Sequence, residues 1–572
     1  MPLLFDDNGD VASWSVEKIA VIGPGIVGMP MAALLAHARI REGTDRPAKV
    51  VVIQRPSPNS GWKVDAINAG RSPIGGVEPD LDRLVKESVE AGLLSASHDP
   101  NAARDADVVL VCVQTDKKGY GPDYGPMFDA LNPLAQALTQ KPAGNVPVVV
   151  FESTLAPSSM ATLMKDHFAA FGLVEGRDIL LGNSPNRVMP GRLVERVASS
   201  DKIVAGLNPA TPGLIERLYR WIVTAGRLHP TNSLTAEVVK TLENAYRDVR
   251  IAYSAEVVRY CDDRDFNFYE VRDAVNRRLA QSDGASSDPN AVPSGGLLVP
   301  TVGVGGHCLP KDGILLWWRT LESGADASRS LILESRRIND ESPAETLRLA
   351  ERAFGPMAGR TVALLGAAYR FNSEDTRNSP TFPLAHLLME RGCRVTIHDP
   401  HVKPLDQNVV GQGLRDYFTN DLDKALAGAE VVFFCTAHRE YVATAEALLI
   451  ADELRPKLVD ACNLLPRSGA GLPAGYSGIG RGTQAPPESL VNAVCAGFKA
   501  VERGVANELK GIVEFLNLNY AKGPFARIDF REVQRIAGTC VTGCDIASPG
   551  RVVAPPSFDG FRSRLVEHAG SD

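Results

Sequence analysis

No stretch of this 572-residue chain is apolar and free of charge for long enough to span a bilayer. Its start, Met-Pro-Leu-Leu-Phe-Asp-Asp, lacks the basic region and long apolar run of a secretory leader, so none is expected. Positive charge is not in excess either. The 61 Lys and Arg stand against 68 Asp and Glu, a formal net charge of -7. That balance provides no general basic field for nucleic acid, and an anionic ligand would have to be met by a few placed cations. Cysteine is sparse, with nine residues, most of them isolated in sequence. Cys112, Cys393 and Cys435 fall in or beside apolar runs and are expected as buried thiols. This pattern favours a reducing cytoplasm over a disulfide framework. Cys540 and Cys544 stand close together, but no matching ligand pair accompanies them. They read as incidental thiols, with a metal or redox role as the alternative, and no metal site is expected.

The hydrophobic fraction of 44% and charged fraction of 23% fit a globular chain with room for two or three cored domains. Lys18-Ile-Ala-Val-Ile22 reads as a buried parallel strand, followed by Gly23-Pro-Gly-Ile-Val-Gly28 and a helix-like run, Met29 to Leu35. In that order, Gly23 permits a tight turn, Gly25 lets a pyrophosphate approach the backbone, and Gly28 lets helix and sheet pack closely. The helix start, with Ile26 and Val27 leading into it, supplies amide donors for phosphate. A second strand, Val50 to Ile53, ends on Gln54-Arg55, where an acid would ordinarily hold the cofactor ribose. Gln54 can make a neutral hydrogen bond there. Arg55 can meet a 2'-phosphate, which keeps NADP open beside NAD, or it is a solvated arginine at a strand end. Further strands end on Gln114-Thr115 and Glu152-Ser-Thr154. Chemistry in an open parallel sheet gathers beyond the carboxyl ends of its strands. Glu152 can there activate a water or act as a cap, and Thr115 can serve the site or satisfy local backbone.

Thr235 to Cys261 has a helical pattern that places Lys240 and Asn244 on one face. An ammonium and an amide so placed can bind an oxyanion or polarise a hydroxyl, and Lys240 can act as a base if its surroundings lower its pKa. Tyr246, Ile251 and Tyr253 can pack against a partner helix. Ser282 to Ser294 is polar and should be a loop. Gly303-Val-Gly-Gly-His-Cys-Leu-Pro-Lys-Asp312 comes next, a glycine-rich turn carrying Cys308 as a candidate nucleophile or a small buried thiol. Asp312 can stabilise Lys240 or Lys311, or cap the helix near Gly313. A second alpha/beta unit opens with the strand Thr361 to Leu365 and continues with strands at Arg394 to Asp399, Val431 to Phe434 and Lys457 to Asp460. Arg370 and Arg377 can meet phosphate or pair with Glu374 or Asp375. Residues 485–572 contain one helical stretch, about Val494 to Phe515.

Thr115, Glu152, Asn183-Ser-Pro-Asn-Arg-Val188, Lys240-Thr-Leu-Glu-Asn244, Gly305-Gly-His-Cys308 and Asp375-Thr-Arg-Asn-Ser-Pro380 together resemble the UDP-glucose/GDP-mannose dehydrogenase family, over about residues 17–485. Glu243-Asn-Ala-Tyr-Arg-Asp-Val249 is similar to the branch acting on UDP-N-acetylhexosamines, with UDP-glucose or GDP-mannose as alternative substrates. The resemblance implies an α/β fold with two Rossmann-like doubly wound parallel-sheet domains joined by a central helical segment. It places an NAD-binding domain at 1–228, a helical dimerisation and catalytic segment at 229–345, a nucleotide-sugar domain at 346–484 and an extension at 485–572. It implies a cytoplasmic homodimer or higher homo-oligomer, in polysaccharide biosynthesis, that oxidises the sugar C6 alcohol to a carboxylate with two NAD in succession. Cys308 would hold the oxidised carbon as a thiohemiacetal and then a thioester. Glu152 and Thr115 would serve the water step, and Lys240, Asn244 and Asp312 would organise the oxygen-centred intermediates. Cofactor contacts would come from Gly23, Gly25, Ile26, Val27, Gly28, Gln54, Arg55, Thr115 and Arg377. Substrate contacts would come from Arg187, Lys240, Asn244, Arg247, Gly305 and Arg370. Gln54 departs from the family's acid and Arg370 from a substrate-contacting lysine, and the family predicts nothing for the extension. An alcohol dehydrogenase that stops at the aldehyde and a noncatalytic nucleotide-sugar sensor are the competing readings.

Overall fold

The computed structural model describes residues 4–5, 11–58, 60–141, 146–188, 190–279, 296–450, 456–465, 473–540 and 543–570. The loop expected at 282–294 lies outside them. The chain divides into two compact units that do not follow sequence order. The first comprises Met1–Glu243, Ile314–Ala325 and Lys510–Asp545, and the second Asn244–Gly313, Asp326–Leu509 and Ile546–Asp572. The segment expected at 229–345 therefore contributes to both. Among the described residues no helix is long and apolar enough to cross a membrane.

The first unit is built on an eight-stranded sheet: β1 (Lys18–Ile22), β2 (Lys49–Ile53), β3 (Leu94–Ser97), β4 (Val108–Val111), β5 (Val148–Phe151), β6 (Leu180–Asn183), β7 (Lys202–Gly206) and β8 (Leu228–Asn232). The order is β8-β7-β6-β5-β4-β1-β2-β3. Neighbours run parallel except β6 and β7, which pair antiparallel. The strand sequences explain the architecture. Val-Val-Leu-Val of β4 and Val-Val-Val-Phe of β5 are buried at every position, as a sheet covered on both faces requires. Successive residues feed opposite cores: Ile19, Val21, Val108 and Leu110 pack on one side, Ala20, Ile22, Val109 and Val111 on the other. Strand order reverses between β1 and β4, so a crevice opens at the carboxyl ends of these two strands. The turn from β1 into helix α1 (Gly28–His37) sits there.

In the second unit six parallel strands form the other sheet: β9 (Thr361–Leu365), β10 (Arg394–His398), β11 (Phe418–Thr419), β12 (Val431–Phe434), β13 (Lys457–Asp460) and β14 (Tyr476–Gly478). Their order, β11-β10-β9-β12-β13-β14, repeats the doubly wound pattern. Four further helices carry candidate site residues or brace those that do: α2 (Ser233–Asp263), α3 (Leu309–Glu322), α4 (Leu331–Asp340) and α5 (Glu488–Asn519). The partner helix expected for Tyr246 and Tyr253 is the chain's own α5. Tyr246 donates to Glu502 Oε1 at 2.5 Å and Tyr253 to the Val494 carbonyl at 2.8 Å. Glu508 of α5 accepts from Ser330 Oγ and the Leu331 amide, at 2.6 and 2.9 Å, and so caps α4. Of the three thiols expected inside, Cys393 and Cys435 are buried. Cys112 is only half-buried, because it lies beside the Gly23–Gly28 turn at the open end of β4 rather than within the strand.

Candidate functional site

The turn after β1 has the geometry a pyrophosphate needs. Gly23 adopts φ +94°, and its amide donates to the Ile53 carbonyl at 3.0 Å. A Cβ on Gly28 would stand 2.0 Å from the Gly23 carbonyl oxygen, so the third glycine is required by close approach. A Cβ on Gly25 would meet nothing within 4 Å, which leaves the middle of the turn open to a ligand. Ile26 and Val27, half-buried, complete the entry into α1. These residues fit a dinucleotide phosphate at the α1 N-terminus. At the end of β2, Gln54 Nε2 donates to Ser60 Oγ at 3.0 Å, while Arg55 is exposed and lies 3.7 Å from Asp129.

Glu152, just past β5, is buried and accepts three hydrogen bonds. Lys202 Nζ donates at 2.7 Å and Asn186 Nδ2 at 3.0 Å, both to Oε2, and the Tyr219 hydroxyl donates to Oε1. Burial pulls the Lys202 ammonium below its ordinary value, against the attraction of Glu152. It pushes the Tyr219 hydroxyl far above its own, with Glu152 adding to the rise. Thr115 is buried and donates to the Thr154 carbonyl at 2.9 Å, so it joins the ends of β4 and β5. Arg187 is also buried. It pairs with Glu243 at 2.5 Å and donates to the Asp201 carbonyl at 3.0 Å. Its guanidinium is therefore engaged by protein groups. Lys240 is buried in α2, one turn before Asn244.

The second unit gathers the cysteine motif against Asp375–Pro380. The Gly306 amide donates to the Arg377 carbonyl at 2.8 Å, and Asn378 Nδ2 donates to the Gly306 carbonyl at 3.0 Å. A Cβ on Gly305 would stand 2.4 Å from Tyr369 Cβ and 2.9 Å from the Asn378 carbonyl, so only glycine fits. Cys308 ends this turn. Its carbonyl accepts from the Lys311 and Asp312 amides, at 3.1 and 2.9 Å, so the thiol stands at the N-terminus of α3. Arg377 is paired in fork geometry with Asp375 and is tied to the cysteine turn through its carbonyl, which accepts from the Gly306 amide. Arg370 rests over the Phe371 ring at 5.0 Å. Asp312 joins two other expected residues: Asn244 Nδ2 donates to it at 2.5 Å and Lys311 Nζ at 2.6 Å. Arg247, half-buried, stands one turn further along α2.

Several participants carry no sequence signal. Lys202, Tyr219 and Tyr369 belong to no spaced motif. Asp399, after β10, accepts from the Ala367 and Ala368 amides at 2.8 and 2.9 Å. These are the amides of the turn after β9, the place where the first unit opens to phosphate. Among the described residues, ligand-type atoms of His401, His438 and Glu440 lie within 4.8 Å of one another. His438 is already engaged at Nδ1 by the Asn372 amide and at Nε2 by Asp399, both at 3.0 Å.

Three family models match the chain. They are the NAD binding, central and UDP binding domains of the UDP-glucose/GDP-mannose dehydrogenase family, at residues 17–223, 234–341 and 363–467. The chain is 31% identical over 474 residues to UDP-N-acetyl-D-mannosamine dehydrogenase of Pyrococcus horikoshii, covering 81% of this chain and 99% of that one. It is 30% identical over 437 residues to NDP-N-acetyl-D-galactosaminuronic acid dehydrogenase of Ralstonia nicotianae, covering 74% and 92%. The solved UDP-N-acetyl-mannosamine dehydrogenase structure from P. horikoshii superposes with TM-score 0.66 at 30% identity, over 82% of this chain and all of that one. The NDP-N-acetyl-D-galactosaminuronic acid dehydrogenase of Methanosarcina mazei gives 0.63 at 30% identity, over 82% and 96%. With the glycine cradle, the doubled Rossmann topology and the three consecutive domain matches in agreement, the chain belongs to the UDP-glucose/GDP-mannose dehydrogenase family and is an NAD-dependent nucleotide-sugar dehydrogenase.

Proposed function

We propose that the chain oxidises the C6 alcohol of a UDP-N-acetylhexosamine to the uronate, consuming one water and reducing two NAD. The relatives named for N-acetylated sugars support the substrate class. The observation that carries the chemistry is Cys308 at the N-terminus of α3, in a glycine turn braced by Arg377 and Asn378. Bound NAD supplies a hydride acceptor at each of the two oxidations. The Cys308 thiolate adds to the C6 aldehyde, giving a thiohemiacetal whose oxidation leaves a thioester. Water then cleaves the carbon–sulfur bond, releasing the carboxylate and restoring the thiol. Lys240, Asn244 and Asp312 stabilise the oxygen that carries charge at each addition. Lys311 neutralises Asp312, so the carboxylate can hold the Asn244 amide in one orientation. Glu152, oriented by Lys202, Tyr219 and Asn186, serves the water step together with Thr115.

Arg187, Arg247, Gly305 and Arg370 are assigned to the nucleotide sugar. Arg187 acts there through Glu243 rather than by direct contact, because both of its terminal nitrogens are engaged by protein acceptors. Gln54 makes a neutral contact to the ribose, and NAD is preferred to NADP since the exposed Arg55 already faces Asp129. The assignment of Arg377 to the cofactor rests on its backbone bond to Gly306 in the turn that carries Cys308. The nine free cysteines agree with work in a reducing cytoplasm, and the family resemblance implies a homodimer or higher homo-oligomer.

The test is a product assay across UDP-N-acetylhexosamines, UDP-glucose and GDP-mannose with NAD and NADP. Two reduced cofactors per uronate support the reading. An aldehyde as final product, or binding without reduction, defeats it. Cys308→Ala is expected to abolish uronate formation while NAD still binds, and full turnover by that variant would overturn the covalent route.

A further inference from the structure

We infer that the C-terminal extension is a clamp on the buried Arg187–Glu243 pair, with Thr539 and the Ile536 carbonyl as positioning groups for the turn of α2 that carries Lys240. The extension lies beyond the last family match, which ends at residue 467. Its helix α6 (Phe530–Ala537) buries Val533, Ile536 and Ala537 in the first unit. Arg187 has four acceptors around its two terminal nitrogens. Two belong to the body of the unit, the Asp201 carbonyl at 3.0 Å and Glu243 Oε1 at 2.5 Å. The other two come from the extension, Thr539 Oγ1 at 2.9 Å and the Ile536 carbonyl at 3.1 Å. The Thr539 hydroxyl donates in turn to the Ile536 carbonyl at 2.7 Å, which fixes its lone pairs toward the guanidinium.

A second tether closes on the same place. Arg535 Nη1 lies 3.3 Å from His229 Nδ1, and His229 Nε2 lies 2.8 Å from Asp201 Oδ2. Asp201 immediately precedes Lys202, the partner of Glu152. The Arg527 carbonyl accepts from Asn232 Nδ2 at 3.1 Å, one residue before α2 begins. The extension thus grips the start of α2, the start of β7 and the cation that holds Glu243. A buried guanidinium left short of acceptors is strongly disfavoured. Without the extension, Arg187 would have to move toward other oxygens and take Glu243 with it. Glu243 stands three residues from Lys240 on one helix, so that movement reaches the ammonium.

The catalytic consequence rests on the proposed dehydrogenase chemistry, whereas the clamp itself does not. The test uses the full chain with Thr539→Val and Thr539→Ser. Hydrogen–deuterium exchange over residues 237–243 is expected to rise in the valine variant and to return to the wild-type rate in the serine variant. Identical exchange in all three would overturn the clamp. With UDP-N-acetylmannosamine and NAD, T539V is expected to lower kcat roughly 10-fold at an unchanged KM for NAD, with T539S restoring it. Equal kcat in T539V, with only the thermal midpoint shifted, would overturn the positioning role. A wild-type chain inert toward every nucleotide sugar would defeat the dehydrogenase reading instead, and the exchange comparison would still decide the clamp.

Discussion

Lys202 Nζ donates to Glu152 Oε2 at 2.7 Å with both side chains buried, so two charges at the ends of β7 and β5 neutralise each other inside the first unit. Tyr219 and Asn186 also donate to the carboxylate. Lys202→Met would leave Glu152 buried with two neutral donors. Removing one partner of such a pair costs about 3–5 kcal/mol. A fall of that size in unfolding free energy is expected by denaturant titration. K202M combined with Glu152→Gln should recover part of it, since the stranded charge is gone. Equal stability of wild type and K202M would show that the pair contributes nothing.

This pair also marks where sequence reading stops. The strands β1, β4, β5, β9, β12 and β13 are legible because each is a short apolar run buried on both faces. The first turn is legible because each glycine answers a separate steric demand. Cys308, Asn244 and Asp312 stand out through their motifs, and the packing of Gly305 against Tyr369 explains why that motif needs glycine. Lys202, Tyr219 and Thr539 have no such signal. Each is an ordinary polar residue whose partner is remote in sequence, and only tertiary packing brings them together. The antiparallel β7 escapes because Lys-Ile-Val-Ala-Gly carries no mark of strand direction. Asp399 looks like a strand-end acid, yet it satisfies amides of the neighbouring turn.

Gly25 and Gly28 should separate cofactor binding from folding. A methyl on Gly28 collides with backbone at 2.0 Å, whereas one on Gly25 enters open space. Gly28→Ala is therefore expected to lose about 3 kcal/mol of stability through overpacking. Gly25→Ala should unfold like the wild type but bind NAD about 10-fold more weakly, because the methyl takes the room of a phosphate. Calorimetry with NAD beside thermal unfolding checks both. Undiminished NAD affinity in Gly25→Ala would move the cofactor away from this turn.

The second sheet makes the opposite prediction. Asp399 takes the Ala367 and Ala368 amides and also accepts from the His401 and Val402 amides at 2.8 and 3.1 Å. Burial pushes its carboxyl up, but the hydrogen bond from His438, with those from the backbone amides, outweighs this and holds it below the usual range. One NAD per chain is expected in equilibrium dialysis, since this turn offers those amides to an internal anion. A group with a depressed native pKa stabilises the fold above its unfolded pKa, about 3.9, and that contribution disappears as pH falls through the native value. Asp399→Asn should accordingly weaken the chain at pH 7 and show less further loss on acidification. Two NAD per chain would refute the internal-anion account.

Glu237 supplies a pH dependence of the other sign. It is buried in α2 and accepts from the Ser158 and Met160 amides, each at 2.8 Å. Burial raises its carboxyl to about 8, against the pull of those two amides. Between the unfolded value near 4.5 and the native value near 8, the native chain holds a proton that the unfolded chain has released. Stability must then fall with rising pH, by about 1.4 kcal/mol per unit from this one group, and level off above the native value. Glu237→Gln cannot release that proton, so its unfolding free energy should lose this slope while retaining one acceptor for the Ser158–Met160 turn. Denaturant midpoints of variant and wild type are expected to lie closest at pH 5 and to separate at pH 7 and 9, as the wild type loses stability and the variant does not. Parallel profiles across that range would mean that Glu237 is ionised throughout and that its two amides outweigh its burial.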